Sequence, residues 1–549
     1  MSEGRRAAVL RPAFAPSADR RSVLDRAHRG DIVGALGRVA STDTGPRLSW
    51  KARFATLAAV MGPGLVVMVA DNDAGGISVY AQSGQNHGLG LLWLLVLLVP
   101  VLVINQEMVA RLGAVTGAGH ARLIFERFGR LWGWFALGDL CVLSVLTIVT
   151  EFIGVSLALG YFGVSRYIAV PVAGVALIAV TASGGFRRWE RVMYVLLALN
   201  FAVVPLVLFA HSGAAGAAGE IAVHPTGGSH GALVLFVIAL IGTTVAPWQL
   251  FFQQSNVVDK RITARWLAYE RLDTLIGGIL FGVGACAVLL TCAFAFGGTP
   301  LHGGFVDAGA VATGLQDRLG ASAGVVFAIV LLNASVLGAA AVTLSTAYAI
   351  GDVLGVRHSL HRGWRDARTF HGSFAVCVTI GAAIVLVPGA PLGLVTTGVQ
   401  ALAGVLLPSA CVFLLLLCND KAVLGPWVNP RWLNALATLV VGVLIVLSAL
   451  LTASTLFPKA DVGVLAVGLA AVTSGAVGGV VVAGLRAGGS QRSQKRTGAD
   501  DMWTMPPLES LPAPTSSSSR LLGLMALRVY LILAVVGVVI KVVELAIAG

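Results

Sequence analysis

The chain has 549 residues, 57% of them hydrophobic and only 12% charged, with a mean hydropathy of +0.86. Soluble chains carry roughly 25% charged residues, so a string of water-solvated domains is excluded and lipid is the solvent this composition suits. The net charge of +12 would suggest nucleic acid in a soluble protein, but here the basic residues stand between apolar runs, as loops of a membrane protein do.

Residues 1–50 are polar and Arg-rich, with no apolar core of the kind a signal peptide needs. Apolar runs long enough to cross a bilayer core of about 30 Å then fall near 57–78, 89–110, 133–159, 166–183, 191–211, 232–257, 269–296, 323–350, 371–388, 394–418, 433–453, 462–485 and 522–547. The organisation expected is a partly disordered cytoplasmic tail over 1–54 and a transmembrane domain over 55–485. A polar, Ser- and Pro-rich flexible linker follows over 486–520, and an additional transmembrane helix over 521–549. Arg and Lys cluster after the second, fourth, sixth and eighth runs (Arg111, Arg122, Arg187, Lys260, Arg261, Arg357, Arg362). The positive-inside rule therefore puts the even-numbered connections and the N-terminus in the cytoplasm. The six cysteines, Cys141, Cys286, Cys292, Cys377, Cys411 and Cys418, lie in or beside apolar runs with no CxxC pair, and read as small buried hydrophobes.

Two runs are interrupted. The first holds Gly62-Pro63-Gly64 and then Asp71-Asn72-Asp73-Ala74-Gly75-Gly76; the sixth holds Gly242-Thr243-Thr244-Val245-Ala246-Pro247-Trp248-Gln249. These runs open two successive groups of five, and broken helices at corresponding places in two repeats point to a transporter's substrate site. Two carboxylates at membrane depth, with no Arg or Lys in the same run, call for a cation or a proton. Carboxylate, carboxamide and carbonyl oxygens suit hard cations such as Mg²⁺, Ca²⁺ and Mn²⁺. Asp71, Asn72 and Asp73 are candidate ligands, although either carboxylate could instead cap the helix that resumes at Gly75. Pro247 breaks the sixth run, with Thr243 and Gln249 offering oxygens beside it and Trp248 either walling a cavity or packing. Glu151 and Asp273 are candidates for a pathway, and Gln400 for a polar contact in the tenth run. Glu107, Asp139 and Asp352 read as solvated near helix ends. No Walker loop, HExxH motif or nucleophile–base set occurs, so no enzymatic activity and no cofactor are expected.

In order and spacing these motifs resemble the Nramp (natural resistance-associated macrophage protein) family of divalent-metal transporters. The resemblance rests on Gly62-Pro63-Gly64, Asp73-Ala74-Gly75-Gly76, Gln82-Ser83-Gly84, Ala110-Arg111-Leu112-Gly113 with Val115-Thr116-Gly117, Glu151-Phe152-Ile153-Gly154, Ile241 to Leu250, and Asn429-Pro430-Arg431-Trp432. It implies a polytopic all-α protein with a LeuT-type fold, two inverted five-helix repeats plus additional C-terminal transmembrane helices. It also implies a metal site formed by Asp73, the Ala70 carbonyl, the Thr243 carbonyl and position 246, with Gln400 approaching. Gly76 stands where the family has a metal-binding Asn, and Ala246 where it has a metal-binding Met. Losing the thioether makes the site harder, and both changes are expected to widen it, which suits Mg²⁺ with part of its water. The pattern looks like the Nramp-related magnesium branch. Trp248 and Gln253 replace the family's sixth-helix histidines, and Ile148 an acid three residues before Glu151, which argues against strict proton coupling. The function expected is alternating-access transport of Mg²⁺, with Mn²⁺ as a second cargo, in a bacterial plasma membrane. The alternatives are a proton-coupled Mn²⁺ or Fe²⁺ importer, a LeuT-fold amino-acid transporter and a non-transporting metal sensor. A monomer in the lipid bilayer with a divalent metal ion, and no nucleic acid, is the expected assembly.

Overall fold

Backbone polar groups in hydrocarbon must be satisfied within their own segment, so each apolar run closes into a helix. The computed structural model describes residues 25–213, 230–388, 392–456 and 503–512, with a few positions between 468 and 528. Apart from those few positions, the expected runs at 462–485 and 522–547 lie outside the described residues.

The first run is three helices, α1 (Trp50–Val60), α2 (Pro63–Ala70) and α3 (Ala74–His87). Gly62, at φ +150°, and Pro63 at the first helical position start α2 at a 53° bend from α1. Then follow α4 (Leu92–Thr116), the short α5 (His120–Phe128), α6 (Arg130–Tyr161), α7 (Arg166–Ala182) and the pair α8 (Phe186–Asn200) and α9 (Val203–Gly213). The second broken run is α10 (His230–Thr244) and α11 (Pro247–Asp259). Beyond it lie α12 (Leu267–Phe296), α13 (Ala308–Leu319), α14 (Ala321–Leu354), α15 (Arg368–Val385), α16 (Leu392–Cys418), the single turn α17 (Lys421–Leu424) and α18 (Arg431–Leu456). Among the described residues, eight helices are long and apolar enough to span a membrane, or nine if the bent α1–α2 pair counts as one.

The two broken runs occupy the middle of the bundle. The α10–α11 run is the most fully buried of these spans. The segments α2 and α3 pack on α12, α10 packs on α16, and α11 on α4 and α14. The outer helices α7, α8, α9 and α15 instead carry exposed Val172, Val175, Val195, Leu208 and Val376, a lipid-facing surface. Two glycines set the innermost contact. A Cβ on Gly242 of α10 would fall 2.2 Å from the Gln400 carbonyl and 2.3 Å from the Gly404 nitrogen of α16. Backbone cannot yield as a side chain can, so Gly242→Ala is expected to cost about 1–3 kcal/mol or more. Thermal unfolding of the purified variant reads this as a lowered midpoint; an unchanged midpoint would contradict the contact.

Residues 25–48, part of the expected tail, fold onto one end of the bundle. Ile32–Val33 and Arg38–Val39 pair as a small antiparallel hairpin. Asp25 binds Arg362 at 2.6 Å, and the Arg261 guanidinium donates to the Ala27 and Asp31 carbonyls. His28 Nε2 lies 3.5 Å from Asp259. Asp352, expected to be solvated, is 4% exposed and 3.0 Å from His358. Burial works to lower the His358 pKa, but the Asp352 carboxylate overrides it and His358 is pushed up to about 9. At neutral pH the contact is therefore an ion pair. Asp139 also departs from expectation: it accepts a 2.9 Å hydrogen bond from Ser409 of α16 rather than facing water alone.

Candidate metal site

The break between α2 and α3 frees one backbone carbonyl. The Ala74 N–H, which would close the helical turn onto Ala70, donates instead to Glu151 Oε2 of α6 at 3.2 Å, so Ala70 has lost its i+4 donor. Asp73 caps α3, its Oδ1 accepting from the Gly76 N–H at 2.6 Å. Its side chain adjoins Glu151, both within 3 Å of where a Cβ on Gly338 would sit. Asp71 is 1% exposed; its Oδ1 accepts from Gln249 Nε2, while Oδ2 has no partner. Gln249 is held in turn by Gln106 of α4, whose Nε2 donates to Gln249 Oε1 at 3.0 Å.

The second break frees its carbonyl by chemistry alone. The Thr243 carbonyl would accept from residue 247, which is Pro247 and has no N–H. The Thr243 hydroxyl is buried and unpartnered. Ala246 is the extended residue at the break, φ −91° and ψ 141°. Gln400 of α16 reaches the first break: a Cβ on Gly75 would overlap its Nε2, which is buried without a partner. Asp71, Asp73, Glu151, Thr243, Gln249 and Gln400 are thus brought to the two breaks, with the Ala70 carbonyl and with Gly76.

Asn72 and Asp273 are not brought there. Asn72 turns toward α12 and donates to the Phe281 carbonyl at 3.1 Å. Trp248, 1% exposed, packs edge-on against Phe252. Asp273 caps the far end of α2, Oδ2 accepting from Gly62 and Gly64 at 2.9 and 2.8 Å; eight helical residues, about 12 Å, separate it from the break. The space expected at Gly76 is bounded by the Asp71 carbonyl, 2.9 Å from where a Cβ on Gly76 would sit, and by Tyr80 Cε2, 3.2 Å away. Tyr80 and Gln106 escaped the sequence reading, though Tyr80 falls four residues after Gly76 and so on its helical face.

The electrostatics are one-sided. Asp71, Asp73 and Glu151 are 0–3% exposed, and none of them takes part in an ion pair among the described residues. Buried carboxylates without a counter-charge are costly, so a cation or a proton would suit this centre. No group of three His, Cys, Asp or Glu able to hold a metal by itself occurs among the described residues. A metal here would therefore draw on carbonyl and carboxamide oxygens as well as carboxylates.

A family model described as natural resistance-associated macrophage protein-like, Nramp, matches residues 64–454. The chain belongs to the Nramp family. Among its Nramp relatives, the divalent metal cation transporter MntH 1 of Pseudomonas aeruginosa is 30% identical over 400 residues, 69% of this chain and 88% of its own length. The MntH transporter of Klebsiella pneumoniae is 26% identical over 410 residues, 72% and 94% of the two chains. The crystal structure of the Eremococcus coleocola manganese transporter in complex with an aromatic bis-isothiourea substituted compound superposes with a TM-score of 0.60. It is 20% identical and covers 81% of this chain and 98% of that one. That likeness gives the fold: the LeuT-type arrangement of two inverted repeats expected from the motifs, with α2–α3 and α10–α11 as the broken first helices of the repeats.

Proposed function

We propose that this chain carries Mg²⁺, with Mn²⁺ as a second cargo, by alternating access and without obligatory proton movement. As a member of the Nramp family it is an integral membrane transporter of divalent metal cations and not an enzyme. The finer reading rests on one observation: two buried, unpaired aspartates at a helix break face a second break whose residue is Ala246, with no thioether or imidazole among them. A site of oxygens alone suits a hard ion. In this reading Asp73, Asp71 and the Ala70 and Thr243 carbonyls receive the ion and its remaining waters, and Gln400 closes over it. Asn72 supplies the bend rather than a ligand.

The mechanism needs the two halves of each broken run to tilt so that the site opens to one side at a time. The membrane potential is worth about 2.3 kcal/mol per charge per 100 mV, hence about twice that for a divalent ion, so entry needs no second driving ion. The relatives' bacterial sources favour a plasma membrane, with the N-terminal segment at the cytoplasmic end. The test is Mg²⁺ entry into proteoliposomes under an inside-negative potential; an absence of Mg²⁺ flux alongside Mn²⁺ flux would return the chain to the Mn²⁺ or Fe²⁺ reading.

A further inference from the structure

Tyr80 of α3 lies beside the metal site, is 0% exposed, and its hydroxyl has no hydrogen-bond partner. A buried phenol normally finds one, so a Tyr in place of a Phe here needs a reason. Its ring lies back over the preceding turn, as helical side chains do, and so covers Gly76: a Cβ at 76 would meet Tyr80 Cε2 at 3.2 Å, Asp73 Oδ1 at 3.3 Å and the Asp71 carbonyl at 2.9 Å. A side chain at 76 would therefore meet the Asp71 carbonyl first, with the Tyr80 ring and the Asp73 carboxylate closing the rest of that space. The Tyr80 hydroxyl adjoins the hydroxyls of Thr243 and Thr244 and stands in the field of Asp71 and Asp73. Thr244 already donates to Leu240 at 2.8 Å, but Thr243 Oγ1 and Asp71 Oδ2 are, like the phenol, buried and unpartnered.

We infer that Tyr80 is a specificity-determining residue, its hydroxyl supplying the polar contact that Gly76 no longer makes and binding a water retained by the ion. This rests on the metal-site reading above. Mg²⁺ sheds water reluctantly and usually arrives with several molecules. A phenol and a threonine hydroxyl that adjoin each other without full hydrogen-bond geometry, and a free carboxylate oxygen, are the partners such a shell requires. Mn²⁺ gives up water more readily and depends on them less.

The test is uptake by the full-length chain in proteoliposomes at fixed potential, comparing wild type with Tyr80→Phe, which removes only the oxygen. A lost hydrogen bond in a charged setting predicts a KM for Mg²⁺ raised about tenfold. The KM for Mn²⁺ and both kcat values should stay within about twofold, a change too small to mark a lost hydrogen bond. Unchanged KM values, or equal rises for the two ions, would overturn the inference. Asp73→Ala run in parallel separates the failures: if it still transports, the metal site itself is misplaced, and if it is inactive while Tyr80→Phe is silent, only the role of Tyr80 falls.

Discussion

Asp73→Ala is expected to reduce divalent-cation uptake to the background of empty vesicles. Asp73 is 3% exposed, stands at the break beside the Ala70 carbonyl, and has no cationic partner among the described residues. In the proposed site, replacing it removes the charge that would offset the dehydration of the ion. It also removes the cap of α3, worth about 0.5–2 kcal/mol, so lost activity could in principle reflect lost folding. Asp73→Asn resolves the two, because a carboxamide oxygen can still accept from the Gly76 N–H while the charge is gone. Both variants should lose transport and calorimetric metal binding, and Asn should keep the thermal midpoint that Ala lowers. Wild-type flux in Asp73→Asn would remove the carboxylate from the account.

The second large effect concerns stability. Lys260 and Glu190 form an ion pair at 2.5 Å with side chains 0% and 1% exposed. Lys260 also donates to the Met61 carbonyl, at the bend that begins α2. Around it lie Glu270, which accepts from Gln253 at 3.3 Å, and Asp273 on the α2 N–H groups. Lys260→Met leaves Glu190 buried without its counter-charge, and breaking such a pair costs about 3–5 kcal/mol. A large fall in thermal midpoint is expected, with partial recovery in Lys260→Met/Glu190→Gln, where neither charge remains. If the single variant unfolds at the wild-type temperature, the pair is not the buried contact described.

The contrast between these two sites shows what a sequence discloses. The spans were legible because lipid demands long apolar helices, and the breaks because Pro63, Pro247 and the run from Asp71 to Gly76 cannot continue one. The first break's carboxylates were legible because charge at membrane depth has few bland explanations. Lys260 was different: counted by itself it reads as a loop cation, and its partner Glu190 lies 70 residues away. Asp352 misled in the same way, since its partner His358 sits across the helix end and both are closed in by residues 25–48. Asn72 and Asp73 are neighbours in sequence, yet the irregular backbone sends one to α12 and the other to the site. Tyr80 carried a weak signal, the four-residue offset from Gly76, but only the fold shows its ring in the space that glycine leaves.

The most direct measurement is made on proteoliposomes carrying one dye for internal Mg²⁺ and another for internal pH, under an inside-negative potential. The account predicts Mg²⁺ entry with no acidification beyond that of empty vesicles. Acidification that tracks metal entry, or Mn²⁺ entry with no Mg²⁺ flux, would contradict it and make the Asp73–Glu151 pair a proton carrier in a transporter of softer ions.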